Sequence, residues 1–276
     1  MSDALDYQVD ATGELRRMGC LLPPAGFVSS FPAFEDKIPL LEDADIKRIA
    51  QSGDADGRNK FDVTWIQDQR SHGSCNGFAG AMALSRARVR RGLERVTLSG
   101  AYLYSLINGG QDRGSALEDG MRALAERGCA TLATVGWDAV FPSQYDRAKA
   151  DAEAARFRAF ECYAVKSLQG LWSALALGFD CVVAVHAGSN FMRVNSQGVA
   201  GVDNGPGNHA VLCDGLTWEG GELVGTGANS WNVNYGVNGR MGLRAAHFAQ
   251  TFSRHVFFAL RSTSDDPNGN NPPAAN

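Results

Sequence analysis

Between Cys75 and Val89 the apolar positions Phe78 and Met82 and their neighbouring alanines recur at helical spacing. This predicts a helix that starts at or near Cys75 and buries that face. Leu117, Met121 and Leu124 form a second stripe, preceded by Ser115 and Glu118, which read as a capping box, and stopped by Gly128. A third helix is expected from Ser167 to Leu177, with Leu168, Leu171 and Leu175 inward and Gly178 as terminator. Leu40 to Ala50 reads as a short acidic helix, while Pro23, Pro24 and Pro32 favour extended chain. Ser52 to Arg58, rich in Gly and Asp, reads as a linker.

From Cys181 onward the pattern changes to short β-branched and aromatic runs at 181–186, 209–213, 223–226, 241–244 and 256–260. Glycines punctuate them, which predicts a strongly bent antiparallel sheet or an open barrel. The fold class is therefore α+β, a helical lobe followed by a β lobe with a cleft between them. Residues 262–276, rich in Asp, Asn and Pro, have nothing to bury and are expected to form a disordered tail. No internal repeat is visible.

The chain has 276 residues, 44% hydrophobic and 20% charged, with a formal charge of −4. Disorder throughout is excluded, and there is no global attraction to nucleic acid or an anionic membrane. Arg86, Arg88, Arg90, Arg91 and Arg95 are expected to form the solvated face of the helix that starts at Cys75. The polar start Met-Ser-Asp-Ala-Leu-Asp resembles no secretion signal, and no apolar run reaches membrane-spanning length, so a cytoplasmic location is expected. Cys20, Cys75, Cys129, Cys162, Cys181 and Cys213 are scattered singly, which argues against a zinc site or a disulfide framework. Apart from Cys75, each reads as a small core or loop residue.

Candidate chemistry sits in Gln-Arg-Ser-His-Gly-Ser-Cys at 69–75, followed far downstream by Asn208-His209-Ala210 and Asn229-Ser230-Trp231. A cysteine attacks a carbonyl only as thiolate, so it needs a base beside it, a group orienting that base and donors for the oxyanion. Cys75, His209, Asn229 and Gln69 fit those four jobs. His209 lies inside the interval of ~130–150 residues at which His and Asn follow the nucleophile of one thiol-protease class, and Asn229 lies slightly beyond it. Gly73, Ser74 and Gly77 make a small-residue turn into the helix, which suits an exposed thiol better than an inert buried one. His72, His186, His247 and His255 read as structural, with His72 a weak rival base.

On these motifs the chain from about Phe61 to Leu260 resembles the papain-like cysteine peptidases. Gln69 and Cys75 keep the family interval, Asn108-Gly109-Gly110 matches its glycine pair, and Asn229-Ser230-Trp231 matches its Asn-Ser-Trp. Asn76 stands where the family has Trp after the nucleophile, and His72 and Ile107 stand where many members carry a disulfide. The resemblance implies a papain-like two-lobe fold, a helical lobe and an antiparallel β-barrel-like lobe flanking the active-site cleft. It also implies thiol-dependent hydrolysis of a peptide or protein substrate through an acyl-enzyme, with no metal or organic cofactor. In that reading Cys75 attacks, His209 carries the proton, Asn229 orients it and Gln69 joins the backbone N–H of Cys75 in the oxyanion hole. Gly109 and Gly110 pair with an extended substrate, Asn208 borders its pocket together with Val183 and Val185, and Trp231 shields the His209–Asn229 bond.

The same site would serve a deamidase or a transpeptidase. A reading of another class is a non-catalytic structural or binding protein on this fold, against which the complete set of four residues weighs. The catalytic domain is expected at 61–261, after an N-terminal extension at 1–60. Leu21, Leu22, Phe27, Phe31, Phe34, Leu40 and Leu41 favour a permanent structural belt there over a pro-segment that fills the cleft.

Overall fold

The computed structural model describes residues 7–264. Its strands are β1 (Tyr7–Val9), β2 (Leu15–Arg17), β3 (Ala159–Phe160), β4 (Tyr163–Val165), β5 (Asp180–Val185), β6 (His209–Glu219), β7 (Glu222–Ala228), β8 (Arg240–Arg244), β9 (Phe257–Leu260) and β10 (Ser262–Thr263). Its helices are α1 (Phe34–Lys37), α2 (Asp43–Ser52), α3 (Cys75–Arg90), α4 (Gly100–Ile107), α5 (Leu117–Glu126), α6 (Arg147–Ala154) and α7 (Leu168–Ala176).

Six strands form one antiparallel sheet in the order β4-β9-β5-β6-β7-β8. The sheet stays open, with β4 and β8 as its edges. Helix α3 packs across β5 and β6, and its first residue, Cys75, lies against the backbone of Ala210 near the start of β6. In the β6–β7 ladder Leu212 stands opposite Ala228. Continuing that register past the strand ends brings His209 level with the Asn229–Trp231 segment, because residue numbers rise along one antiparallel strand as they fall along its partner.

Several expectations need correcting. The expected arginine face is solvated only beyond the helix, at Arg91 and Arg95: α3 itself is buried from Cys75 to Arg88. Arg86 is 1% exposed, and its Nε lies 2.9 Å from Asp180 and 3.3 Å from Asp214. Arg90 reaches the same Asp180 carboxylate at 3.3 Å, and Arg240 reaches Asp214 at 2.7 Å. Burial alone would raise the Asp214 carboxyl, but Arg240 and Arg86 outweigh it and hold it down at about 2. These cations tie the helical lobe to the sheet, since a buried charge persists only when paired.

Residues 52–58 are not a free linker. Leu216 donates its N–H to the Ala55 carbonyl at 2.9 Å, and the Gly57 N–H donates to Thr226 Oγ1 at 3.0 Å. A Cβ on Gly57 would stand 2.1 Å from Asp214 Oδ1, so the segment is seated against the sheet. The capping box is absent too. Glu118 instead accepts from Ser29 and Ser30 at 2.6 Å each, and Ser115 Oγ accepts from Asn76.

The N-terminal sixty residues divide in two. Phe34 is fully buried edge-on to Tyr163 and Phe179, Ile46 and Ala50 are buried, and Glu35 accepts from the Lys166 and Ser167 N–H groups just before α7. That part belongs to the core. Residues 16–22 lie across the cleft instead. At the other end Ser262 and Thr263 are buried and pair with β3, so the chain stays ordered past residue 261. The rest of the expected tail, from residue 265, lies outside the described residues.

Candidate active site

The turn before α3 is held by backbone-directed side chains. Asp68 accepts from the Arg70 N–H at 2.8 Å, with Arg70 at φ 52, and Asp112 accepts from the Gly73 N–H at 2.9 Å. Ser74 is the N-cap of α3 but makes no side-chain cap bond. The first turn therefore leaves its amides and the positive end of the helix dipole to Cys75, an arrangement that favours a thiolate. The backbone N–H groups of Ala210, Gly19, Asn76 and Cys75 itself face the Cys75 thiol and pull its pKa down.

His209 Nε2 lies 2.8 Å from Asn229 Oδ1. An amide oxygen only accepts, so Nε2 carries the hydrogen and the neutral ring keeps its lone pair on Nδ1. That Nδ1 is buried with no hydrogen-bond partner among the protein groups. Trp231 stacks on the imidazole at 4.6 Å and 27°, and Phe191 meets it edge-on at 6.2 Å. Gln69 is locked as well: its N–H donates to Ser230 O at 2.9 Å, and its Oε1 accepts from Ser230 Oγ at 2.6 Å.

An N-terminal strap fills the cleft. Asp10 folds the β1–β2 turn by accepting from the N–H groups of Thr12 and Glu14 and from Arg16 Nε. Arg16 is fully buried, pairs with Asp68 on the body of the protein, and reaches the Trp231 carbonyl at 3.5 Å. The Arg17 carbonyl accepts from Gln69 Nε2 at 3.0 Å, and Cys20 N–H donates to Asn208 O at 2.9 Å. Ser115 bonds the strap twice, donating to Gly19 O at 2.9 Å and accepting from Leu21 N–H at 3.0 Å.

Under this cover Cys75, His209 and Asn229 are all 0% exposed. Burial pushes the Cys75 thiol up to about 11, despite its N–H donors. Burial likewise pushes His209 down to about 4, despite its bond to Asn229. Near neutral pH both are uncharged, so the sealed cleft disfavours a thiolate–imidazolium pair.

The structure thus gathers Cys75, His209, Asn229, Gln69, Asn208 and Trp231 into one site. Gly109 and Gly110 sit at positive φ in an exposed turn, and the cleft-edge backbone that the strap pairs with is that of Ser115. Val183 and Val185 are core residues of β5, fully buried. His72 turns to Asp112 at 3.0 Å, not to the thiol. Where the family disulfide is lacking, Asp112 joins the nucleophile turn to the following loop, and it also takes Arg17 of the strap at 3.1 Å. Asp112, Ser115 and the strap contacts went unforeseen, because their roles depend on distant segments meeting. The one sequence signal was the small, polar stretch Gly114-Ser115 ahead of an amphipathic helix.

A family model described as papain family cysteine protease matches residues 51–253. Among solved structures, xylellain, a cysteine protease from Xylella fastidiosa, is 19% identical over 93% of this chain and 98% of its own, with a TM-score of 0.65. Procathepsin B S9 from Trypanosoma congolense is 18% identical over 90% of this chain and 86% of its own, with a TM-score of 0.61. The proform of the ragweed pollen allergen Amb a 11 cysteine protease is 22% identical over 77% of this chain and 65% of its own, with a TM-score of 0.62. At these identities the likenesses speak for the fold. A search of curated protein sequences finds no match.

Proposed function

The chain belongs to the papain family of cysteine proteases, and on that premise we propose that it cleaves peptide bonds through a thioester on Cys75 and that residues 16–22 keep it latent. The observation that carries this reading is the His209 ring, tied through Nε2 to Asn229 and left with an unpartnered Nδ1 beside the Cys75 helix.

Once the strap lifts, water reaches the site and the penalty for charge falls. His209 Nδ1 takes the thiol proton, and the thiolate attacks the carbonyl carbon of an extended peptide or protein substrate. The oxyanion accepts from the Cys75 N–H and from Gln69 Nε2. The Arg17 carbonyl supports that role, since the strap already presents a carbonyl oxygen to the same amide. The imidazolium then protonates the departing amine. Water, deprotonated by His209, attacks the thioester; the acid leaves and the thiol regains its proton. Asn229 holds the tautomer throughout, and Trp231 keeps water from that bond. Because Phe34, Ile46 and Ala50 belong to the core, the latency segment ends before residue 33 and the catalytic unit begins there.

The test compares intact protein with protein nicked at the exposed stretch 24–28, where Val28 is 83% exposed. Peptide hydrolysis should rise on nicking and vanish in nicked Cys75→Ala. Hydrolysis that persists in folded Cys75→Ala would refute the reading.

A further inference from the structure

We propose that Asn76 is a positioning residue, which fixes the cleft-edge backbone at Ser115 against the first turn of α3 so that an extended peptide bonded to Ser115 meets Cys75 in register. The inference rests on the thiol-peptidase reading above and assigns a task to the residue that departs from the family Trp.

Asn76 follows Cys75 directly on α3, and the turn of ~100° per residue sends its side chain away from the thiol. It is 1% exposed. Its Nδ2 donates to Ala116 O at 2.7 Å and to Ser115 Oγ at 3.1 Å, which uses both amide hydrogens. A buried amide among the apolar neighbours of this helix is tolerated only with its donors satisfied, so these two bonds fix its direction. Ser115 is thereby held from beneath while its N–H and C=O face the cleft, where the strap takes both. The main chain of the same residue touches the thiol through the Asn76 N–H. One residue therefore bridges nucleophile and peptide-pairing edge.

Helix α5 is shaped to this amide. A Cβ on Gly120 would stand 2.6 Å from Asn76 Oδ1, so the helix lies flush against it. The other end of the edge loop is tied independently: Tyr104 OH donates to Asp112 at 2.8 Å and accepts from Gly114 N–H at 3.0 Å. Those bonds fix where the loop begins. Asn76 fixes where it meets the peptide.

The test uses the full chain and two reagents for Cys75: iodoacetamide, which needs no pairing with Ser115, and a tripeptidyl epoxide, whose backbone reaches it. Both require the strap to open, so the ratio of their second-order rate constants cancels opening. Asn76→Leu keeps the side-chain volume and removes both donors. It should lower the ratio of epoxide to iodoacetamide rates ~10-fold, the scale of losing well-held backbone hydrogen bonds. Gly120→Ala, which displaces the amide without touching the cleft, should lower the same ratio ~3-fold, and it decides the matter if Asn76→Leu does not fold. An unchanged ratio in the folded variants would overturn the proposal alone. A wild-type chain with no preference for the epoxide would overturn the peptidase reading, and this proposal with it.

Discussion

Gly19→Ala is the sharpest perturbation of the strap. A Cβ at Gly19 would stand 1.9 Å from the Gly73 carbonyl oxygen, where real contacts stay beyond 3.0 Å. The atoms it meets are the Gly73 main chain and the Cβ is fixed rigidly to the strap's own Cα, so the strap must move out by about an ångström. That shift breaks the bonds from the Ser115 N–H to Gly19 O and from the Cys20 N–H to Asn208 O, and withdraws the Gly19 N–H from the Cys75 thiol. At roughly 1 kcal/mol net each they amount to ~3 kcal/mol, or ~100-fold more open protein. Opening also changes the thiol. With a pKa of about 11, roughly one Cys75 in ten thousand is ionised at pH 7, against ~3% for an ordinary cysteine. The assay is the alkylation rate of Cys75 in the full chain from pH 5 to 10, read by mass spectrometry, with the melting temperature as control. Gly19→Ala should react at least ~100-fold faster at pH 7 and its rate should rise at lower pH than in wild type. Wild-type kinetics in a folded Gly19→Ala protein would refute the account of the strap.

Acid should open the strap as well: His209 binds a proton far more readily once uncovered, so the sealed state loses stability as pH falls from ~6.5 towards the covered value of about 4. Cys75 alkylation corrected for thiolate content should therefore rise up to ~10-fold per pH unit in that window; a flat profile would contradict the linkage. In the nicked enzyme His209→Ala should cost nearly as much activity as Cys75→Ala, Asn229→Ala should cost less, and double variants should lose no more than the worst single. Arg86→Met, which leaves Asp180 and Asp214 undercompensated, should destabilise the fold by ~3–5 kcal/mol in urea; a loss below ~1 kcal/mol would show the pair to be dispensable. A chain starting at Ser30 should fold and turn over peptides, whereas one starting at Arg58 should melt lower, because it lacks Phe34, Ile46 and Ala50; equal melting temperatures would place those residues outside the core.

What was legible in the sequence was whatever depended on local pattern. The α3 stripe, the strands after Cys181 and the order of Cys75, His209 and Asn229 needed only spacing. Helix α4 carried no stripe, since Tyr102, Leu103 and Tyr104 are all fully buried and its apolar positions run around the helix. The arginines of α3 read as a wet face because Asp180 and Asp214 lie roughly a hundred residues away along the chain. The Ser115–Glu118 pattern spelled a cap, yet both side chains were recruited by Asn76 and by Ser29 and Ser30. The strap was hardest to see, because segment 16–22 carries no hydrophobic period. Its fit comes from backbone bonds and from Gly19, a residue whose lack of a side chain says nothing until Gly73 stands against it.

The central claim, a thioester formed at Cys75, is tested most directly by acid-quenching the nicked enzyme during turnover of an activated peptide ester and mapping the adduct. The account predicts that the acyl mass appears on the fragment carrying Cys75, is released by hydroxylamine, and is lost in Cys75→Ala. Steady hydrolysis with no adduct on Cys75, or an adduct on any of the other five cysteines, would contradict it.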